Sequence, residues 1–262
     1  MELKTIENIV RNAAKIIVPD NSGSVVNNDD IEQKSSVKDL VTKYDKAVQE
    51  YLYKELSIAF PGAGFLGEES LTEPAGNNRG TFIIDPIDGT TNFIKGLRHS
   101  AISVGYCLNG AMKYGVVYDP YKDEMFTAES GKGAFLNGNP IHVSEEPIER
   151  SVALYGTSPY DEDLTDKSFL LACELTKLVI DGRRFGAATL DLCDVAAGRA
   201  EIYTELLLFP WDYAAGSLIA KEAGAIVTDI NGNPLQFEER RGIAVGTPKT
   251  YDILMETIKR VI

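Results

Sequence analysis

The sequence predicts a layered α+β / α/β fold in two halves, an antiparallel-rich α+β half over residues 1–150 and an α/β half over 151–262. Three observations predict it. The chain opens on two stretches of amphipathic helical spacing. It continues through short apolar strands broken by Asn-Gly turns. Past about residue 150, helical and extended segments alternate.

Leu3, Ile6, Ile9, Val10, Ala13, Ala14, Ile16 and Ile17 recur at three- and four-residue steps, which predicts a first helix stopping near Pro19. Residues 20–30 are polar, with Gly and Asn, and predict a loop. Residues 42–59 predict a second helix, with Tyr44, Val48, Leu52 and Leu56 on one face and Pro61 closing it. Strands are expected over 64–66, 81–84, 101–108, 115–118 and 124–127. Asn109-Gly110 lies between two of them and signals a hairpin; Asn137-Gly138 is a second turn. Later strands are expected over 152–155, 178–180, 201–204, 225–228 and 242–245, and helices over 162–176, 187–197 and 213–223. The last helix takes Thr247 as its N-cap and Pro248 in its first turn.

A chain of 262 residues can bury about 73% of its extended surface, enough for a core without staples. With 44% hydrophobic and 25% charged residues, disordered and fibrous classes are excluded. The 39 acidic and 26 basic residues leave a net charge of −13, which argues against nucleic acid and anionic membranes as partners. An acidic protein still handles an anionic substrate where metal cations gather in its site. Cys107, Cys173 and Cys193 are too few and too scattered for a disulfide framework or a zinc site. The first 18 residues do not form a signal peptide and no apolar stretch reaches membrane-spanning length, so a reducing, cytoplasmic setting is expected.

Some motifs mislead. The glycines of Gly62-Ala63-Gly64-Phe65-Leu66-Gly67 match a dinucleotide loop, but they follow a helix instead of a strand. Cys193 and Arg199 have cysteine-phosphatase spacing, yet lie in the body of a helix, where Cys193 is expected to be a buried structural residue. The segment from Asp229 to Asn233 imitates a calcium loop, but Pro234 and Arg240 occupy positions that need Gly and Glu. His99 and His142 have no metal spacing.

The informative segment is Ile83-Ile84-Asp85-Pro86-Ile87-Asp88-Gly89-Thr90-Thr91-Asn92-Phe93. An apolar strand runs into two carboxylates, with Pro86 expected to end it. Asp85 and Asp88 then project at the carboxyl end of the strand, where ligands bind in layered α/β folds. Gly89 and Thr90 open a short helix whose N–H groups suit an anion. Carboxylates beside an anion site require cations between them, and Mg2+ binds through a few carboxylates plus substrate phosphate. A chance D-x-x-D-G-T is expected about 10⁻³ times in a chain of this length. Glu68 and Glu69 close another strand. Asp212 stands at a helix start, where alone it would be an ordinary N-cap. Together Glu68, Asp85, Asp88 and Asp212 can supply a multi-metal phosphate site.

With these motifs the chain resembles the inositol monophosphatase family, the magnesium-dependent, lithium-sensitive phosphomonoesterases. The resemblance also rests on Asp39-Leu40-Val41-Thr42 with Asp45, Phe60-Pro61, Gly67-Glu68-Glu69-Ser70, Gly115-Val116-Val117-Tyr118-Asp119-Pro120, Gly131-Lys132-Gly133-Ala134-Phe135, Trp211-Asp212, Ala214-Ala215-Gly216 and Glu222-Ala223-Gly224. It implies a five-layer αβαβα fold, usually a homodimer, with two to three Mg2+ per subunit. It implies that Glu68, Asp85 and the Ile87 carbonyl hold one ion, that Asp85, Asp88 and Asp212 hold a second, and that a third leans on Glu68. Most of these ligands fall in the first half; Asp212 and the substrate-ring side fall in the second. The resemblance further implies that Gly89 and Thr90 grip the phosphate, that Thr90 and Asp45 orient the attacking water, and that Asp88 and Asp212 also face the substrate. It implies too that Lys34 sits on a loop near the metals and that Glu205 and Ala188 border the sugar or inositol ring. Ala187 departs from the Ser or Thr common in the family and lacks the substrate-side hydroxyl of those residues. Asp191 has no assigned role.

The implied function is Mg2+-dependent hydrolysis of a small polyol phosphate, inositol 1-phosphate foremost, by metal-activated water with no covalent intermediate. The same chemistry on fructose 1,6-bisphosphate, histidinol phosphate, 3′-phosphoadenosine 5′-phosphate or NADP is the enzymatic alternative. A metal-binding regulatory protein on the same fold is the non-enzymatic one. An ionised Glu205 accepts hydrogen bonds only, which favours a hydroxylated ring over a second phosphate unless Arg183 or Arg184 receives that phosphate. The structural alternative for Glu205 is an exposed glutamate at a strand end.

Overall fold

The structure is a computed structural model, and it describes residues 2–18, 30–33, 40–69, 71–76, 79–159 and 161–262. The loop expected over 20–30 therefore lies almost wholly outside the described residues, as do Lys34 and Asp39.

The chain opens on α1 (Glu2–Ala13), which buries Ile6, Ile9, Val10 and Ala13 and runs into a 3₁₀ turn at Ala14–Ile16. A short antiparallel pair, β1 (Ile31–Gln33) and β2 (Leu40–Thr42), leads into α2 (Lys43–Ala59). Next come β3 (Gly64–Gly67), β4 (Leu71–Glu73), β5 (Thr81–Asp88) and α3 (Thr90–Ile94). They are followed by β6 (Ala101–Leu108), β7 (Ala111–Asp119), β8 (Glu124–Glu129), β9 (Ala134–Leu136) and β10 (Asn139–Ile141). The second half contains β11 (Val152–Tyr155), α4 (Glu162–Thr176), β12 (Asp181–Arg183), α5 (Ala188–Ala196) and β13 (Ile202–Leu208). It ends with α6 (Pro210–Glu222), β14 (Ile226–Asp229), β15 (Arg241–Gly246) and α7 (Tyr251–Val261).

Among the described residues the larger sheet has eight strands in the order β10-β9-β8-β7-β6-β5-β3-β4, and only the β3–β5 pair is parallel. The second sheet has the order β12-β11-β13-β15-β14, with β11 parallel to both neighbours. Three apolar cores alternate with these sheets. One joins α1 and α2 to the first sheet through Ile6, Val48, Leu52 and Phe82. One joins both sheets to α5 and α6 through Leu192, Tyr203, Tyr213 and Ile219. One joins the second sheet to α4 and α7 through Leu171, Ile202 and Leu254. The layers are therefore αβαβα.

Both Asn-Gly turns form as the sequence requires. Asn109 and Gly110 have φ of 53° and 76°, and Asn137 and Gly138 have φ of 50° and 80°, each pair closing a two-residue hairpin. The strand at Pro86 departs from expectation. β5 does not end there but continues to Asp88 through a bulge, in which Asp85 faces Ser103 and Asp88 faces Ala101. The bulge absorbs the missing N–H of Pro86 and re-aims the two aspartates.

Two further expectations shift. The extended stretch expected over 178–180 is a turn after α4: Leu178 and Val179 both donate to Leu175 O, and the strand forms at Asp181–Arg183. Thr247 does not cap α7. It closes a turn with Thr250, whose N–H and that of Tyr251 both donate to Thr247 O, and the helix begins after it. Among the described residues no helix is long and apolar enough to cross a membrane.

Candidate active site

The carboxyl ends of β3 and β5 meet the first turns of α3, α5 and α6 around one cavity of about 410 Å³. Glu68, Asp85, Asp88, Thr90, Glu205 and Asp212 line it, so the cavity brings together carboxylates spread over 145 positions of the chain.

Asp45 is wholly buried in the first turn of α2. Its Oδ2 accepts from the Thr42 N–H at 2.8 Å and the Thr42 hydroxyl at 2.5 Å, a capping box that fixes the carboxylate against the helix start. Its other oxygen accepts from the Thr90 hydroxyl at 3.3 Å. The Thr90 hydroxyl also lies 3.1 Å from the Ile87 carbonyl. The Ile87 side chain is buried in the α1–α2 core, so only its backbone serves the site. Gly89 has φ of +81°, and a Cβ there would meet His99 O at 3.1 Å and Gly186 O at 3.2 Å. Both the backbone conformation and the close approach of two loops therefore demand glycine.

Asp85 and Asp88 are buried, while Asp212 is partly open to the cavity. Burial pushes the Asp85 carboxyl well above its usual range, and the charges of Glu68, Asp88 and Asp212 push it further. Asp85 and Glu68 are in hydrogen-bond contact. Burial pushes Asp88 up to about 6, against the opposing hydrogen bonds from Thr189 and Ala188. Asp212 is raised well above its usual range by burial first, then by Asp88 and Glu68. Asp212 is not the N-cap residue. It is the third residue of α6, and its Oδ2 accepts from the Phe209 N–H at 2.8 Å. Among the described residues no three His, Cys, Asp or Glu side chains stand close enough, as placed, to cage an ion. The carboxylates line one cavity, with Asp85 and Glu68 in contact and the others set apart along its wall.

Glu205 is not the exposed strand-end residue that surface statistics favour. It is 9% exposed, lies mid-strand beside a bulge in β13, and lines the cavity. Its oxygens accept from the Ser158 N–H at 2.8 Å and the Tyr203 hydroxyl at 3.1 Å. Burial raises its pKa, which those donors and Arg184 oppose. Ala188 lines the cavity at the first turn of α5. Ala187 before it is the N-cap and supplies no side-chain acceptor.

Three further residues stand at the site, of which sequence reasoning passed over Thr189 and left Asp191 without a role. Thr189 donates to Asp88. Asp191 is buried on the cavity wall, with Oδ1 lacking a hydrogen-bond partner. Arg184, considered only as a phosphate receptor, donates to the Thr157 hydroxyl at 3.2 Å. Helical spacing alone does not mark Thr189 or Asp191 as facing a site, and Arg184 lies in the loop between β12 and α5. His99 packs on Phe185 at 5.1 Å, and Cys193 is buried inside α5, both away from the chemistry.

The sequence matches the model of the inositol monophosphatase family over residues 2–262. It is 38% identical over 229 residues to the inositol-1-monophosphatase of Bacillus subtilis (strain 168), covering 86% of each chain. It is 38% identical over 232 residues to the Nus factor SuhB of Pseudomonas aeruginosa, covering 86% of this chain and 85% of that one. The fold superposes on a Thermotoga maritima IMPase with a TM-score of 0.88 at 33% identity, covering 99% and 97% of the two chains. The chain belongs to the inositol monophosphatase family, whose members hydrolyse phosphate monoesters.

Proposed function

We propose that this phosphatase acts on a small polyol phosphate, inositol 1-phosphate first, with two to three Mg2+ ions in the carboxylate cavity. One observation supports the metals most. Asp85 and Asp88 are buried and Asp212 is partly so, all three are lifted by burial and by the neighbouring Glu68 charge, and among the described residues none has an ion pair with Lys, Arg or His. Clustered hard oxygen donors without a basic partner fit a hard divalent cation. Glu68, Asp85 and the Ile87 carbonyl would hold one ion, Asp85, Asp88 and Asp212 a second, and Glu68 would support a third. Bound Mg2+ lowers the pKa of a coordinated water and neutralises charge on the phosphate and leaving oxygen.

The chain's own groups do the positioning. Asp45, held by Thr42, orients the Thr90 hydroxyl, and the pair directs the attacking water. The amides of Gly89 and Thr90 face the phosphate. Glu205 accepts from a ring hydroxyl with the lone pairs that Ser158 and Tyr203 leave over, and Ala188 borders the ring. Lys34, outside the described residues, belongs to the same reading as a loop contact. A homodimer in the cytoplasm belongs to the same reading, as the family resemblance implies.

The Pseudomonas relative's name, Nus factor, favours a second reading in which the fold serves a partner instead of a substrate. Turnover separates the two. Inositol 1-phosphate, fructose 1,6-bisphosphate, histidinol phosphate, 3′-phosphoadenosine 5′-phosphate and NADP are offered with Mg2+, and phosphate release is measured. Highest kcat/KM on inositol 1-phosphate is expected. No release from any of them would sink the enzymatic reading.

A further inference from the structure

We infer that Thr189 is a positioning residue for Asp88. The two lie 101 positions apart and meet where the end of β5 touches the start of α5. The Thr189 N–H and hydroxyl both donate to Asp88 Oδ2, at 2.7 Å and 2.5 Å. Thr189 is completely buried, so no water competes for either bond.

The arrangement follows from a gap at the helix start. The first N–H groups of a helix need acceptors from outside it. Residue 187 is the usual place for one, but Ala187 has no acceptor atom. Asp88 takes that part from a different strand, accepting from the first turn of α5. Two donors on one carboxylate oxygen set both the rotation and the plane of the group. The other oxygen of Asp88 then keeps one direction. Ligand carboxylates held this way lose less freedom when a cation binds. Without the hydroxyl, Asp88 keeps the backbone hydrogen bonds of Thr189 and Ala188 but loses the second donor on Oδ2, so its plane is held less firmly.

The inference rests on the reading of Asp88 as a metal ligand, and its test keeps the two apart. Mg2+ is titrated calorimetrically into the full chain and its Thr189→Val, Thr189→Ala, Thr189→Ser and Asp88→Asn variants, and melting is followed for each with EDTA. Thr189→Val keeps the branched shape and removes the hydroxyl; it should weaken Mg2+ binding about tenfold, the lower end of the effect of losing a ligand's outer partner. Thr189→Ala should weaken it as much and serves where the valine variant does not fold. Thr189→Ser should bind Mg2+ within about twofold of the parent. A purely structural threonine would lower the metal-free melting temperature and leave Mg2+ affinity alone. That result, with Asp88→Asn still impaired, overturns the positioning role only. Serine as weak as valine also overturns it, by tracing the effect to packing. Unchanged Mg2+ affinity in Asp88→Asn overturns the ligand reading, and the inference with it.

Discussion

Gly156 lies flat against the Glu205 carboxylate: a Cβ on residue 156 would fall 1.7 Å from Oε2 and 1.9 Å from Cδ. The absence of a side chain at 156 therefore makes the room in which Glu205 sits buried and facing the cavity. Ser158, two residues on, holds the same carboxylate by its N–H and takes φ of +42°, while its hydroxyl accepts from the Leu207 N–H at 3.0 Å. The β11–α4 loop and the β13 bulge thus form one cradle for Glu205.

Gly156→Ala should act on Glu205 at a distance of one side chain. The methyl has no free volume, so either the carboxylate or the loop must move, at a stability cost of about 1–3 kcal/mol. Loss of kcat/KM on inositol 1-phosphate should match that of Glu205→Gln, roughly 10–150-fold for a hydrogen bond to a charged acceptor. The double variant should be no worse than either single one. Additive losses would mean that the two residues act separately.

The raised pKa of Asp88 makes stability depend on pH in a fixed direction. Its carboxyl titrates at about 6 in the folded chain, against about 3.9 in an unfolded one. The folded state therefore holds the proton more tightly, and this contribution is complete below pH about 4 and disappears as pH rises through about 6. Asp85 and Asp212 are raised as well and act in the same sense. In EDTA the melting temperature should fall between pH 4 and 7, by an amount on the order of 2 kcal/mol in stability from Asp88. Mg2+ should restore it at pH 7 and do little at pH 4.5, where protons compete. Asp88→Asn should flatten the metal-free profile. A metal-free protein that gains stability across this window would contradict the assignment.

Local features of the chain were legible where residue chemistry leaves few choices. Asn-Gly demands positive φ, so the hairpin turn at Asn109-Gly110 and the turn at Asn137-Gly138 could be placed to the residue, though the short strands that flank the second could not. Gly89 marks where α3 begins, and Pro86, expected to end β5, instead sits in its bulge, so the aspartates around them could be assigned to one site although the strand's end could not. What the chain conceals is tertiary. Asp181-Gly182-Arg183 has no strand pattern, and becomes a strand because β11 offers it a parallel edge. Glu205 has the sequence look of a surface residue, and only Gly156, Ser158 and Tyr203 reveal why it is buried. Thr189 reads as helix interior, and its partner comes from another strand.

Ala187 leaves α5 without its own side-chain cap, so Ala187→Ser should stabilise the protein. The residue has φ of −140° and ψ of 96°, the extended backbone that a capping serine adopts. Its hydroxyl would serve a first-turn N–H at a gain of about 0.5–1 kcal/mol, or roughly 1–4 °C in melting temperature for a chain of this size. Mg2+ affinity should stay as it is, because Asp88 keeps both Thr189 donors. A lower melting temperature would show that the buried site has no room for the oxygen.

Thr90→Ala separates orienting water from holding metal. The Thr90 hydroxyl lies 3.3 Å from Asp45 Oδ1 and 3.1 Å from the Ile87 carbonyl, and it is the bridge between the α2 cap and the β5–α3 turn. Its removal leaves Asp85, Asp88 and Asp212 untouched, so Mg2+ binding by calorimetry should change less than threefold. It also leaves the Asp45 carboxylate anchored by Thr42, so the fold should hold. The attacking water loses one of its two fixed partners, and kcat should drop by about 10²–10⁴, the range for a positioned proton-transfer group. KM for inositol 1-phosphate should change little, since the Thr90 amide remains. Thr90→Ser keeps the hydroxyl and should recover most of the rate. Equal loss of kcat and Mg2+ affinity in Thr90→Ala would instead make the hydroxyl part of the metal site, acting through the Ile87 carbonyl that it touches.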